Sequence, residues 1–259
     1  MILFLAGTSD ARALALELKK EKFPILTTVV TENAAYEMKN AGLDVHMGRL
    51  TDKDIYSFIK GYDIQSVVDA SHPFAEEASK NAMQGAELAN VPYIRYERVS
   101  QQFNEDHIVM VNSYEEAAQV AASKKGVIML TTGSKTLQVF SEKLLDLPEV
   151  RLVARMLPRK DNMKKCEQLG FPQKNIVAIQ GPFTKEFNKA LYKQYGVTVM
   201  VTKESGKAGS VDEKLEAAKE LGIDTIMIKR PQINYRTVYH QFSDIVKHLK
   251  DLSNEGEEK

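Results

Sequence analysis

Small, hydroxylated and basic residues follow one apolar segment after another along this chain of 259 residues. Small residues let a backbone approach an anion, hydroxyl and amide groups donate hydrogen bonds to it, and Lys and Arg balance its charge. Their recurrence after predicted strands indicates a set of anion-binding turns. The turns are Gly7-Thr8-Ser9, Gly48-Arg49, Ser71-His72-Pro73, Thr132-Gly133-Ser134-Lys135, Arg155, Lys203-Glu204-Ser205 and Lys229-Arg230.

The first turn lies where a dinucleotide-binding turn would lie, between the first predicted strand and the first predicted helix. Gly7 supplies the first glycine of the pattern G-x-G-x-x-G, but Ser9 and Arg12 occupy the places of the other two. A helix-capping turn with Ser9 or Asp10 as the N-cap explains the same residues. Both interpretations stay open at this point.

The turn Thr132–Lys135 is a second turn of this kind, between a predicted strand and a predicted helix in the second half of the chain. Lys135 is predicted to lie in the first helical turn, where a cation opposes the helix dipole. Its presence there indicates that an anion binds nearby, although a plain capping turn is again the alternative.

Arg49 follows the third predicted strand, near the place where a 2′-phosphate is met in NADP-binding folds. Glu32, at the end of the second strand, could instead contact a ribose hydroxyl. A surface ion pair of Arg49 with Asp52 or Asp54 is a third interpretation.

His72 follows the fourth predicted strand and is the candidate proton donor, the alternative being a hydrogen-bonded structural histidine. Arg95 and Arg98 either pair with Glu97 or face an anion. The remaining histidines lack metal-ligand spacing, so no metal site is predicted.

Residues 151–174 contain seven Lys and Arg and only two acidic residues. A solvated helix face is one explanation. The other is a site for a multiply anionic small molecule, because Arg155 and Arg159 flank a predicted strand end.

Strand, turn and helix alternate from residue 2 onward, and the strands are apolar on both faces. This pattern indicates parallel sheets covered by helices. Five predicted strands precede the polar stretch 100–106 and about six follow it, more than one small sheet usually holds. The sequence therefore predicts an α/β protein of two domains, residues 1–99 and residues 100–259.

The chain has 35 basic and 35 acidic residues, which argues against nucleic acid as a partner. No apolar run is long enough to span a membrane, so no membrane partner is expected. The apolar start of the chain reads as a buried strand and not as a signal peptide. The single cysteine, Cys166, fits a reducing, cytoplasmic setting and is interpreted as a bystander thiol.

Nine short motifs, in order from residue 2 to about residue 231, resemble those of the precorrin-6A reductase family. They are GTSDARALA at 7–15, GRL at 48–50, VDASHPFA at 68–75, PYIRYER at 92–98, TTGSK at 131–135, ARMLP at 154–158, QGPF at 180–183, TKESG at 202–206 and KRP at 229–231. The resemblance implies two Rossmann-like domains with mainly parallel sheets and the site in a cleft between them.

The resemblance also implies an NADPH-dependent oxidoreductase that reduces a macrocycle double bond of precorrin-6A, or its cobalt complex, to the 6B form in corrin-ring (vitamin B12) synthesis. The substrate is a tetrapyrrole polycarboxylate. Combined with the turns above, this assigns NADPH to Gly7, Thr8, Ser9, Arg12, Arg49, Ser71, His72, Pro73, Thr132, Gly133, Ser134 and Lys135. The substrate carboxylates are assigned to Arg95, Arg98, Arg155, Arg159, Lys203, Ser205 and Arg230. We expect a monomer or a small homo-oligomer.

Two other classes of protein are weighed against this one. Another NAD(P)-dependent reductase of a polyanionic substrate is the first; Tyr56 and Lys60 have the Tyr-x-x-x-Lys spacing of short-chain reductases, but they come too early in the fold. A nucleotide-sensing module without catalysis is the second, and it leaves the basic residues 151–174 unexplained.

Overall fold

The structure, a computed structural model, describes residues 1–99, 105–204 and 212–257. It divides into two compact units, unit 1 comprising Met1–Val99 with Pro231–Lys259 and unit 2 comprising Ser100–Arg230.

Unit 1 is built on a six-stranded sheet in which every pair of neighbours is parallel. Its strands are β1 (Ile2–Leu5), β2 (Ile25–Val29), β3 (Asp44–Met47), β4 (Ser66–Asp69), β5 (Tyr93–Tyr96) and β12 (Val238–Tyr239). Its helices are α1 (Ser9–Lys20), α2 (Glu32–Asn40), α3 (Asp52–Gly61), α4 (Glu76–Ala89) and α10 (Phe242–Glu257). The spatial order β3-β2-β1-β4-β5-β12 is the order typical of Rossmann folds.

Unit 2 contains a second six-stranded parallel sheet, in the order β9-β8-β7-β10-β11-β6. Its strands are β6 (Ile108–Val111), β7 (Gly126–Leu130), β8 (Val150–Met156), β9 (Ile176–Ala178), β10 (Val199–Lys203) and β11 (Asp224–Ile228). Its helices are α5 (Tyr114–Lys124), α6 (Leu137–Leu144), α7 (Lys160–Gln168), α8 (Lys185–Tyr195) and α9 (Glu213–Glu220), with a short 3₁₀ helix at Gln173–Asn175. The predicted α/β class with two Rossmann-like parallel sheets is confirmed.

The first strand shows why both faces of the unit 1 sheet are covered. Ile2 and Phe4 point into one apolar cluster, which includes Leu14 of α1. Leu3 and Leu5 point to the opposite face, into a cluster that includes Ile55 of α3. Alternate residues of one strand therefore fill two cores, which explains the continuous apolar run in the sequence.

The prediction that the second domain extends over residues 100–259 is corrected at its C-terminal end. The last 29 residues, 231–259, belong to unit 1. The reason is pairing and burial. β12 lies parallel to β5, with Val238 opposite Arg95 and Tyr239 opposite Tyr96. Ile245 and Leu249 of α10 are buried in the cluster that also holds Leu14. A two-residue strand is too short to produce a periodic pattern in the sequence.

Within the described residues, no helix is long and apolar enough to cross a membrane.

Candidate functional site

The edge of unit 1 that could bind a ligand lies between β1 and β4, where the strand order reverses. Leu5 and Asp69 stand opposite each other at the ends of these strands, and the N–H of Ala70 donates to the carbonyl of Leu5 at 3.0 Å. Ligands of open parallel sheets bind beyond the carboxyl ends of the strands at this reversal. The predicted turns at Gly7–Ser9 and at Ser71–Pro73 are thereby brought to the same edge.

Gly7 adopts a φ of +141°, a conformation that side chains disfavour, and the space a Cβ would occupy is open. The next residue, Thr8, is the N-cap of α1, because its hydroxyl accepts from the N–H of Ala11 at 3.1 Å. The capping interpretation that the sequence left open named Ser9 or Asp10 as the N-cap, and that choice of residue is wrong. The Thr8 hydroxyl and carbonyl accept from the N–H groups of Ala11 and Arg12, so the earlier N–H groups, of Ser9 and Asp10, are the ones that an anion placed over the turn would meet.

Arg49 is exposed just after β3, and none of the described acidic residues forms an ion pair with it. Asp54 instead closes a capping box with Thr51 at the start of α3, with a distance of 2.8 Å from the Thr51 N–H to Asp54 Oδ2. The surface pair with Asp52 or Asp54 that the sequence left open is thus not formed. Arg12, in contrast, contacts Glu37 of α2 at 2.8 Å.

A buried ionic network lies directly beneath this edge. The Arg95 side chain is 1 % exposed, and its guanidinium lies 2.9 Å from the fully buried carboxylate of Asp69 and 2.8 Å from that of Glu97. The Arg95 guanidinium also stacks on the ring of Tyr235, 4.9 Å from its centroid. The Tyr93 hydroxyl donates to Asp69 at 2.7 Å.

Mutual neutralisation explains how these charges are kept in the interior. Burial by itself would raise the pKa of Asp69, but the Arg95 guanidinium and the surrounding amide and hydroxyl donors hold it below its usual value. Burial would likewise lower the pKa of Arg95, and the Asp69 and Glu97 carboxylates raise it instead.

Arg95 and Arg98, both predicted to bind substrate carboxylates, form ion pairs with acidic residues of unit 1. The assignment of Arg95 is corrected, because its side chain is enclosed and both neighbouring carboxylates neutralise it. Arg98 lies 2.7 Å from Asp10 in the first turn of α1, with 10 % of its side chain exposed. Arg98 therefore borders the Gly7 turn.

Ser71 and His72 differ in what they could offer a ligand. Ser71 is buried and held by its neighbours, since its N–H donates to Asp69 Oδ1 at 2.9 Å and its hydroxyl accepts from Arg95 at 3.2 Å. His72 is half-buried, and its Nδ1 accepts from the N–H of Phe74 at 3.1 Å. An accepting Nδ1 places the ring proton on Nε2. His72 therefore borders the edge with a ring whose Nδ1 is held by the backbone of the next turn.

The equivalent edge of unit 2 lies between β7 and β10. Gly133 has a φ of +82° with open space around it, and Ser134 donates to Asn162. The hydroxyl of Thr132 is buried without a hydrogen-bond partner among the described residues. Lys135 is exposed and precedes the N-cap Thr136, so it does not lie in the first turn of α6 as predicted.

Arg155, the residue before the last of strand β8, is a half-buried cation with few neutralising neighbours. Its guanidinium donates to Asn188 Oδ1 at 2.7 Å and lies 4.7 Å from the centroid of the Phe183 ring. No carboxylate among the described residues lies within ion-pair distance of it. Burial lowers the pKa of Arg155, an effect only partly opposed by Tyr192 and Asp212. Such a guanidinium is suited to an incoming carboxylate.

Lys203 ends β10 at the strand reversal of unit 2. Burial, followed by the nearby charges of Lys214 and Lys135, lowers its pKa to about 8. Ser205, which was also assigned to the substrate, lies outside the described residues.

The other two cations predicted at this edge have acidic partners. Arg159 donates to the Asp161 carboxylate through both Nε and Nη2, each at 2.9 Å, at the exposed start of α7. Arg230 Nε lies 3.3 Å from Glu204, and both side chains are at least 90 % buried. A substrate carboxylate at either position would compete with a carboxylate of the protein.

Sequence reasoning missed three residues that set this geometry, namely Asp69, Asn162 and Asn188. Asn162 bridges the Ser134 hydroxyl and the carbonyl of Leu157, and Asn188 orients Arg155. The only available signal was a polar residue inside an apolar strand for Asp69. A polar residue on a helix gives no comparable signal, because most face solvent.

Two parallel sheets of Rossmann order, each with a glycine turn at its strand reversal, define a protein of the two-domain Rossmann-like class. No group of three His, Cys, Asp or Glu is placed to hold a metal in residues 1–99, 105–204 and 212–257. The family model of precorrin-6x reductase CbiJ/CobK matches residues 1–250. The chain belongs to this precorrin-6x reductase family, and the resemblance seen in the sequence is confirmed.

Relatives match the chain over most of their length. A cobalt-precorrin-6A reductase of Priestia megaterium is 68 % identical over 246 residues, which cover 95 % of this chain and 96 % of the relative. A cobalt-precorrin-6A reductase of Methanococcus maripaludis is 37 % identical over 251 residues, which cover 95 % of this chain and 97 % of the relative. The solved structure of a CobK precorrin-6A reductase has a TM-score of 0.78 at 24 % identity, covering 97 % of this chain and 96 % of that one. This last likeness supports the fold.

Proposed function

We propose that this chain reduces a macrocycle double bond of precorrin-6A or cobalt-precorrin-6A, giving the 6B form, with NADPH as the reductant. The observation that carries the proposal is the 68 % identity to a protein named cobalt-precorrin-6A reductase, over nearly the full length of both chains. The cationic edge of unit 2 supports a polycarboxylate as the substrate.

The turn of unit 1 fits the proposed cofactor. The open space at Gly7 and the N-terminus of α1 suit a phosphate, and the exposed Arg49 suits a 2′-phosphate. Thr8, Ser9, Arg12, Ser71 and Pro73 shape or border this edge. When bound, the nicotinamide supplies a hydride. His72, whose Nδ1 accepts from the N–H of Phe74, borders the same edge.

The substrate would bind at unit 2. Arg155 would bind one substrate carboxylate directly. Arg159 and Arg230 would bind a substrate carboxylate either in place of Asp161 and Glu204 or together with them. Lys203 and Ser205 end or follow the neighbouring strand. Thr132, Gly133, Ser134 and Lys135 form a turn suited to a phosphate or a further carboxylate. These residues hold and orient the ring, which is the protein's part in a hydride transfer.

The test is turnover with both forms of the substrate. We expect NADPH absorbance to fall when the protein is mixed with precorrin-6A or cobalt-precorrin-6A, and the ratio of the two rates identifies the preferred form. Oxidation of NADPH by neither would contradict the proposal. Nucleotide binding without turnover would then indicate a sensing module, and turnover with a different polyanion another reductase.

Arg49→Ala is expected to weaken NADPH binding by about tenfold or more and to leave NADH binding nearly unchanged. The reason is the loss of a charge-assisted hydrogen bond to the 2′-phosphate, which contributes about 1.5–3 kcal/mol. Calorimetric titration with both nucleotides measures the difference. Lys53→Ala, an exposed cation nearby on α3, is the control. Equal losses for NADPH and NADH at Arg49→Ala would disprove a 2′-phosphate contact.

A further inference from the structure

We propose that the turn 132–136 of unit 2 is a phosphate-binding site in its own right, in addition to the glycine turn of unit 1. The turn joins β7 to α6 at the strand reversal of unit 2, the edge where ligands of parallel sheets bind. The inference narrows the proposed function, which leaves both a phosphate and a carboxylate open at this turn. It rests on that function only where NADPH is taken as the source of the phosphate.

Two buried hydroxyl groups, one at each end of the turn, have no partner. Thr132 is 4 % exposed, and its Oγ1 forms no hydrogen bond with the described residues. Oγ1 of Thr136 is also buried and without a partner there. A buried hydroxyl in this state costs stability, so valine, which has nearly the same shape, would suit the fold alone better. The two hydroxyls therefore indicate a ligand with which they form hydrogen bonds.

The backbone between the two hydroxyls adds further donors. The N–H groups of residues 133–136 donate to no other residue in the described part of the chain. Gly133 has a φ of +82°, and a left-handed residue in such a turn directs successive N–H groups to one side, as in anion-binding concavities. A Cβ at Gly133 would meet no atom within 4 Å. An anion can therefore approach these N–H groups.

The start of α6 is not compensated by the protein. Its first turn contains no acidic residue, and the side chain of its N-cap, Thr136, forms no capping hydrogen bond. The corresponding helix of unit 1, α1, has Asp10 in its first turn and the Thr8 hydroxyl as its cap. The positive end of the α6 dipole is thus left for an anion from outside the chain.

The number of donors favours a phosphate over a carboxylate. The four N–H groups and two hydroxyls of the turn exceed the roughly four lone-pair positions of a carboxylate. A phosphate monoester has one more strong acceptor oxygen and a charge closer to −2. The exposed Lys135 supplies a positive charge beside these donors.

The test follows the N–H group of Gly133 itself by nuclear magnetic resonance. Thr132-Gly133 is the only Thr–Gly pair in the chain, so carbonyl-¹³C threonine combined with ¹⁵N glycine selects this one signal. We expect inorganic phosphate, added to the whole protein at constant ionic strength, to shift the signal saturably. Acetate and succinate should bind at least about tenfold more weakly.

Thr132→Val, which removes one of the two hydroxyls, is expected to raise the Kd for phosphate by about tenfold or more, as for the loss of a hydrogen bond to a charged group. Carbonyl-¹³C valine then selects the Gly133 signal. The urea midpoint should not fall, because a buried hydroxyl without a partner is lost. A merely structural threonine would give the opposite pattern.

Thr225→Val is the matched control. Thr225 Oγ1 is likewise buried without a partner among the described residues, but it lies near the amino end of β11, opposite to the ligand edge. Its Kd for phosphate should equal that of the parent.

A second titration, in protein saturated with NADPH, identifies the source of the phosphate. If NADPH shifts the Gly133 signal and prevents the phosphate effect, the cofactor supplies the group. If phosphate still binds, unit 2 takes a second phosphate compound. Both results support the site, and neither depends on turnover.

Three results would overturn the proposal. They are a Gly133 signal that phosphate does not shift, a Thr132→Val variant with the parent's Kd, and carboxylates that bind as tightly as phosphate. The last would assign the turn to the tetrapyrrole. A protein that binds phosphate here but reduces neither form of the substrate would refute the proposed function and leave this site in place.

Discussion

Arg95→Met is expected to destabilise the protein by about 3–5 kcal/mol, the usual cost of removing one partner of a buried ion pair. The variant leaves the Asp69 carboxylate enclosed and without its cation, and it removes the ion pair of Arg95 with Glu97. It also removes the hydrogen bond to Ser71 and the stacking on Tyr235. Urea unfolding followed by circular dichroism measures the loss.

The pH dependence of that loss follows from Asp69. In the parent its pKa is lowered, so the pair stabilises the fold above the unfolded value of about 4 and the contribution is lost as the pH falls through the lower folded value. Without Arg95, only the hydrogen bonds from Ser71, Ser79 and Tyr93 oppose the effect of burial, so the pKa of Asp69 rises above its value in the parent. The variant then gains stability relative to the parent on acidification, and the difference between the two should shrink below about pH 4.

A double-variant cycle tests the pairing itself. Asp69→Asn added to Arg95→Met removes the carboxylate that has lost its cation. The double variant should therefore lose less free energy of unfolding than the sum of the losses in the two single variants. Arg236→Met removes an exposed pair with Glu87 and should change stability by less than about 1 kcal/mol. If Arg95→Met unfolds no more easily than Arg236→Met, the buried network does not stabilise unit 1. Additive losses would show that Asp69 and Arg95 act independently.

The architecture could be predicted from the sequence because burial on both sides of a sheet leaves a strong pattern. Apolar runs such as Ile2–Leu5 have no polar face, and this one is followed by a small residue and a helix. Parallel strands with ligand-binding ends follow from that alternation. The positions of the turns at Gly7 and Thr132 follow for the same reason.

The environment of each cation could not be predicted. Arg95 and Arg155 both stand near a strand end, and local sequence does not separate them. Arg95 meets Asp69, 26 residues earlier in the chain, through the β4–β5 pairing, whereas Arg155 meets Asn188, 33 residues later, on α8. Which partner reaches a side chain depends on strand register and helix packing. The pKa of Lys203 depends in the same way on Lys135 and Lys214 from other elements.

Arg155→Met is expected to lower affinity for the tetrapyrrole by about 30-fold or more without loss of stability. Truncating a desolvated cation that binds a carboxylate costs about 2–5 kcal/mol of binding. The folded protein, however, gains little from this charge, since burial disfavours it and Asn188 is its main partner. Methionine keeps an apolar side chain against Phe183. The free energy of unfolding of the variant should therefore lie within about 1 kcal/mol of the parent's value.

Arg151→Met is the matched control, because it changes the same residue type on the same strand. Arg151 is exposed at the amino end of β8, opposite to the edge where ligands of parallel sheets bind, and contacts Asn175 and Tyr195. We expect its KM for the tetrapyrrole to equal that of the parent. If Arg155→Met has an unchanged KM but a lower stability, Arg155 has a structural role like that of Arg95. It would then not be a substrate contact. Arg95 and Arg155 are thus expected to respond in opposite ways, because two carboxylates of the protein neutralise Arg95, whereas no carboxylate of the described residues lies within ion-pair distance of Arg155.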